Sequence, residues 1–260
     1  MPISRYAPLA ALLLVIVAMP ASAQDNYEIQ VYPGFTVPRG VTMLELHSNF
    51  TSRGGLDDGP LFGSNHALHE TIEITHGFTD YFELGFYHFM SIQPKGGLQY
   101  VGNHIRPRFA VPERLHWPVG LSLSQEIGYS RSAFGADTWT WEVRPIIDKS
   151  AGRFYFALNP VLGFVLDGPD KGSPEFAPQA QIGFDLTPKL NVALEYYGAT
   201  GTLAKAEALN TLPQYLFPSL NIDFGPDWEF NVGTGIPLTS VTDRVVLKMI
   251  MGRRFGGSKK

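Results

Sequence analysis

Val119-Gly120-Leu121-Ser122-Leu123-Ser124-Gln125-Glu126-Ile127-Gly128-Tyr129-Ser130 places Val119, Leu121, Leu123, Ile127 and Tyr129 on one parity, and Gly120, Ser122, Ser124, Glu126, Gly128 and Ser130 on the other. A period of two is the side-chain period of an extended strand, whose successive Cβ atoms point to opposite faces. The length suits a tilted strand crossing a bilayer, which needs about 9–11 residues.

The same alternation recurs in twelve blocks, at 41–50, 67–76, 81–90, 98–110, 119–130, 138–147, 154–165, 175–186, 190–199, 214–224, 228–236 and 243–255. Trp139, Trp141, Val143 and Ile147 alternate with Thr140, Glu142 and Arg144, and Val101, Ile105 and Phe109 oppose His104, Arg106 and Arg108. Glu70, His88, Asn103 and Gln125 fall on the apolar parity, and Pro107, Pro160 and Pro178 stand inside strands, where a bulge or a one-residue slip of register is expected.

Connections alternate in length. His76–Asp80, Thr187–Lys189 and Gly225–Asp227 are short, with 111–118 and 148–153 slightly longer; 51–66, 91–97, 131–137, 166–174, 200–213 and 237–242 are the long ones. An even strand number with short turns at one end and long loops at the other is the layout of outer-membrane barrels. The reading is therefore all-β: a transmembrane antiparallel β-barrel of about twelve strands. A secreted soluble sandwich or barrel also alternates, but the polar parity here is rich in Gly, Ser, Thr, Asn and Gln and poor in Lys, which suits an enclosed face better than a solvated one.

Ahead of the barrel, Arg5, an apolar run from Leu9 to Met19 and Ala21-Ser22-Ala23 form a secretory leader over 1–23, cut before Gln24. The run is too short for a membrane-crossing helix, which needs roughly twenty residues. Residues 24–40 are a periplasmic or lumenal segment, 41–255 the barrel and 256–260 a tail. Removing Arg5 leaves nineteen basic against twenty-four acidic residues and no basic patch, so nucleic acid is not an expected partner. With no cysteine, a lipoprotein anchor, disulfides and thiolate metal sites are excluded.

The enclosed parity carries Glu45, Glu73, Glu83, Glu126, Glu142, Glu175, Asp185, Glu195, Asp223 and Glu229 against Arg106, Arg108, Arg144, Arg244, Lys248 and Arg254. The residues expected to line the lumen and meet a solute are Glu45, Glu73, Glu83, His104, Arg106, Arg108, Glu126, Glu142, Arg144, Glu195, Glu229 and Lys248. Comparing depths along antiparallel neighbours pairs Glu83 with Arg106 or Arg108, Glu229 with Arg254, and, across the closure, Lys248 with Glu45. Such ions either fix register and fill a narrow lumen or form a charged eyelet that orients a passing solute.

No catalytic constellation emerges. His47 and Ser48 are adjacent and face opposite sides, and His88 and Ser91 differ in parity. His66, His69, His76, His104 and His116 lack metal-ligand spacing, so neither metal nor cofactor is expected, and His69 and His104 read as polar filling of the lumen. Leu203-Ala204-Lys205-Ala206-Glu207-Ala208-Leu209, in the 200–213 loop, is a good helix former: either a solvated loop helix or a lid.

Thr71-Ile72-Glu73-Ile74-Thr75-His76-Gly77-Phe78-Thr79-Asp80-Tyr81-Phe82-Glu83-Leu84-Gly85 resembles a hairpin of an outer-membrane β-barrel family associated with meta-pathway phenol degradation. Pro38-Arg39-Gly40 before Leu44-Glu45 resembles that family's lead-in to its first strand, and Thr187-Pro188-Lys189-Leu190 and Gly225-Pro226-Asp227-Trp228 resemble later turns. The chain departs from the usual barrel ending, because five residues follow Phe255. The resemblance implies an outer-membrane location and passage of hydrophobic or aromatic compounds. The expected function is thus a narrow passage or binding lumen for small solutes in a monomer, with outer-membrane lipid and the barrel-assembly machinery as partners. A lipid-modifying barrel enzyme and a structural barrel without transport are the alternatives.

Overall fold

The computed structural model describes residues 26–172 and 174–256. The leader read over 1–23 lies outside the described residues, as does the tail beyond Gly256.

Strands β1 (Val41–Arg53), β2 (Leu68–Thr79), β3 (Phe82–Gln93) and β4 (Gly97–Ala110) are followed by β5 (Gly120–Ser130), β6 (Trp139–Ala151), β7 (Phe154–Asp167), β8 (Glu175–Thr187) and β9 (Leu190–Gly198). After two-residue strands β10 (Gly201–Thr202) and β11 (Lys205–Ala206) come β12 (Gln214–Ile222), β13 (Trp228–Pro237) and β14 (Arg244–Gly256). Each long strand pairs antiparallel with its chain neighbour, β9 pairs with β12, and β14 returns to β1, with Val41 opposite Gly256 and Arg53 opposite Arg244. The twelve long strands thus close a barrel, which abolishes free sheet edges.

The apolar parity forms the outer wall. Leu44, Ile74, Phe86, Ile105, Leu123, Ile147, Phe156, Ile182, Leu194 and Leu247 are all exposed. A belt of this extent around a closed sheet is a hydrocarbon-facing surface. No helix among the described residues is long and apolar enough to cross a membrane; the crossing elements are strands.

Three expectations are corrected. The prolines do not shift the register: Leu84 faces Pro107, Pro160 faces Pro178, and the flanking pairs stay in step. All three lie on the outer parity, and a slip at Pro107 would have turned Arg106 and Arg108 out into hydrocarbon. The bulges occur elsewhere, between Gly77 and Thr79 on β2, at Phe89/Met90 opposite β4, at Trp139/Thr140 and between Asp185 and Thr187. The second of these gives β4 an extra residue, so Val101, expected on the outer wall, is buried inside. Finally, 203–209 is not a helix: Thr202 pairs with Glu175, β10 and β11 form a small hairpin on β8, and only a 3-10 turn follows at Leu209–Thr211. Seven residues cannot offset the cost of nucleating an isolated helix, whereas pairing onto β8 prolongs an existing ladder.

Candidate functional site

The lumen is occupied by the chain's own residues 26–40. Near the long-loop end, Asn49 Nδ2 donates to Asn26 O at 2.9 Å and Thr71 Oγ1 donates to Tyr27 O at 2.6 Å. Midway, Asn159 grips the Tyr32 peptide at both ends, accepting from Tyr32 N at 2.7 Å and donating to Tyr32 O at 3.0 Å. Toward the short-turn end, Val37 N donates to Glu83 Oε2 at 2.5 Å and Arg108 donates to Phe35 O. The chain then turns at Gly40, whose N–H donates to Gly77 O at 2.7 Å, and enters β1. A Cβ at Gly77 would collide with the carbonyls of Val37 and Pro38, which explains the glycine in the hairpin motif.

This segment builds the core. Tyr27 packs with Tyr87, Phe89 and Val101; Ile29 and Val31 pack with Ala157, Tyr197, Tyr215, Phe217 and Val246. These inward aromatics are a hydrophobic interior assembled inside a barrel whose remaining wall is polar.

The ions surround Tyr32. The guanidinium carbons of Arg106, Arg108 and Arg144 lie 4.9, 5.6 and 4.7 Å from its ring centroid. Its hydroxyl contacts Glu28 and lies 3.0 Å from the Tyr87 hydroxyl. Arg106 bridges Glu73 (2.6 Å) and Glu83 (2.9 Å) and reaches Thr75 and the Tyr87 hydroxyl, while Arg108 Nε lies 3.1 Å from Glu83. Glu83 therefore meets both arginines expected for it. Arg144 pairs with Glu142 at 2.7 Å, His104 Nδ1 with Glu126 at 2.6 Å, and Arg254 with Glu229 at 3.2 Å.

The expected Lys248–Glu45 contact across the closure is absent. Lys248 sits opposite Asn49, four residues further along β1, and Glu45 faces Gly252. Lys248 instead reaches along the inner wall, over Gly233 on β13 and beside Ser219 on β12, to Glu195 on β9 at 2.5 Å, and to Ile29 O at 3.2 Å. Glu195 also accepts from Ser219 at 2.7 Å and Tyr197 at 2.5 Å. A pair that spans two intervening strands is invisible to reasoning that compares only adjacent ones. Glu45 itself is buried beside Glu73, its partner on β2.

Two cavities flank the segment at the short-turn end. One, of about 490 Å³, is bounded by Tyr32, Phe35, Glu45, Glu83, Arg106, Arg108 and Glu229. The other, of about 330 Å³, is bounded by Val31, Phe35, Phe154, Tyr155, Glu195, Asn231 and Lys248. Both suit small molecules.

No known family's sequence profile matches the chain, and no curated protein does. Solved structures do match. An outer membrane channel from Pseudomonas putida F1 superposes with a TM-score of 0.59 at 12% identity, over 88% of this chain and 100% of that one. The fold is a closed antiparallel twelve-stranded barrel shared with outer-membrane β-barrels. NanC porin follows with a TM-score of 0.55 at 6% identity, over 82% and 99% of the two chains, and KdgM porin, solved with oligogalacturonate, with 0.51 at 10%, over 83% and 99%.

Sequence reasoning missed Tyr32 and Asn159. Within the 24–40 segment nothing singled out Tyr32, although the alternation of Tyr27, Ile29 and Val31 with Glu28 and Gln30 was a usable signal of a buried extended segment. It also passed over a serine–histidine contact, Ser91 Oγ to His69 Nδ1 at 3.3 Å. His69 Nε2 has no hydrogen-bond partner among the described residues, Gln93 occupies Ser91 at 2.8 Å, and the Tyr27 ring lies edge-on to His69 at 4.8 Å, so the histidine lacks the orienting acid that a hydrolytic triad supplies.

Proposed function

We propose that the protein is a channel of the bacterial outer membrane for small solutes, with residues 26–37 as an internal plug. The observation that carries this reading is that residues 26–37 run through the lumen among its buried ions, with a cavity on either side, and are held largely by wall side chains reaching their backbone. Residues 26–37 belong to no strand of the wall, so their displacement would unpair none. The lumen then exposed presents Glu73, Glu83, Arg106, Arg108, Arg144, Glu195 and Lys248, charges of both signs facing one another, as in pores that orient a solute in transit.

Small aromatic compounds are the class we favour. Aromatic rings and guanidinium groups line the larger cavity together, which suits stacking and cation–π contact, and the Thr71–Gly85 hairpin resembles the phenol-degradation family. We further propose that the chain works as a monomer in outer-membrane lipid, inserted by the barrel-assembly machinery. The test uses the wild-type protein and a variant lacking residues 26–37 in planar bilayers and liposomes. The variant should show larger, steadier conductance, and uptake of benzoate-sized aromatics should exceed that of sugars of similar mass. Two inert barrels would refute the channel; equal uptake of both solute classes would refute only the aromatic preference.

A structural barrel is favoured by the filling of the lumen itself. It predicts that Glu83→Gln and Arg106→Ala alter stability and leave permeability untouched.

A further inference from the structure

Glu45, His47 and Glu73 bring their potential ligand atoms within 4.8 Å of one another, and all three are buried. Glu45 and His47 are two apart on β1 and therefore share its inner face; Glu73 stands directly opposite Glu45 on β2. Two carboxylates facing each other across a buried ladder repel. Arg106 and Thr75 hold Glu73 through Oε1, at 2.6 Å each, but Glu45 has no hydrogen bond or ion pair among the described residues.

The remaining atoms are also unsatisfied. His47 Nδ1 is buried without a hydrogen-bond partner, and His47 Nε2 and Glu73 Oε2 have only each other. Buried polar groups are rarely left so. His47 Nε2 and Glu73 Oε2 lie 3.4 Å apart. Two ligands each about 2.1 Å from a tetrahedral zinc ion stand about 3.4 Å from each other. The spacing is longer than a good charge-assisted hydrogen bond, about 2.7–2.9 Å, and it fits two donors sharing a metal.

We propose that Glu45, His47 and Glu73 form a divalent-cation site, and that zinc is the ion whose preferences suit it. One imidazole and two carboxylates are ordinary zinc ligands, and three protein ligands leave a fourth position open. Glu45 also lines the larger cavity, which provides the route in from the short-turn end and a place for the fourth ligand. Arg106 and Thr75 would orient Glu73 from behind, as partners of metal-bound carboxylates do. The ion would neutralise the facing carboxylates and tie β1 to β2 beside the segment that fills the lumen.

The test is calorimetric titration of zinc chloride into tag-free, chelator-stripped wild-type protein in detergent, alongside His47→Gln and Glu45→Gln. The wild type should take up one equivalent saturably, and each variant should bind at least about tenfold more weakly while keeping heat-modifiable migration in electrophoresis. Absence of saturable uptake by the wild type, or unchanged affinity in both variants, would overturn the site. Should a variant fail to fold, X-ray absorption of the zinc-loaded wild type decides: one imidazole with oxygen ligands supports the site, and two or more imidazoles place the ion elsewhere and overturn it.

Discussion

Replacing Arg106 with methionine should be the most damaging single change in the lumen. Arg106 is buried and holds Glu73 at 2.6 Å, Glu83 at 2.9 Å and the Thr75 hydroxyl at 3.2 Å. Its loss does not strand Glu83, which keeps Arg108 at 3.1 Å and the Val37 amide. Glu73 is left with Thr75 and, 3.4 Å away, His47. Removing one partner of a buried ion pair costs about 3–5 kcal/mol, chiefly because the other charge stays buried and uncompensated. The surviving Arg108–Glu83 pair puts the expected loss at the lower end, about 3 kcal/mol. Urea unfolding followed by tryptophan fluorescence in detergent, with chelator present, measures it. Adding Glu73→Gln to Arg106→Met should recover more than half of the loss, since the stranded charge is then gone. A loss below about 1 kcal/mol, the value of a solvated pair, would refute a dry network, and a double variant no better than the single one would refute the assignment of the penalty to Glu73.

Asn159→Leu removes both hydrogen bonds to the Tyr32 peptide, so amide exchange around Tyr32 should accelerate at least tenfold, on the basis of about 1–3 kcal/mol for unsatisfied buried groups; unchanged protection would mean the segment is held elsewhere. Gly102→Ala places a Cβ against the Tyr129 carbonyl at the β4 bulge and should destabilise by about 1–3 kcal/mol through overpacking, whereas Gly163→Ala, with open space around it, should be close to neutral in the same urea titration. Asp137, in the long loop before β6, has its carboxyl pushed above the usual range by partial burial and by the Asp170 carboxylate, against a lowering hydrogen bond from Asp170 N–H. The folded loops therefore bind this proton more tightly than the unfolded chain does, and their stability should rise as pH falls through the raised value and stay flat at higher pH. Hydrogen exchange in 131–137 and 166–172, corrected for intrinsic rate, should slow on acidification, and Asp137→Asn should abolish the dependence.

What could be read from the sequence is what the backbone enforces locally. Alternation in Val119–Ser130 or Trp139–Ile147 needs only the two-residue period of a strand, and Gly225–Asp227 needs only the geometry of a short turn, so wall, faces and ends were legible. Pairs on adjacent strands, such as Glu83 with Arg106, were legible too, because a hairpin fixes their register.

Contacts between residues remote in sequence were not. The closure of β14 on β1 follows the tilt and stagger of the whole ring, and this set Lys248 opposite Asn49 and left it to reach past β13 and β12 to Glu195. The bulge that turned Val101 inward answers to the close approach of Gly102 to β5. The lodging of Tyr32 among three arginines, and the meeting of Glu45, His47 and Glu73, depend on which inner faces a closed wall brings together. Side-chain parity is a property of each strand alone, whereas the occupancy of the lumen belongs to the barrel, and only the folded chain decides it.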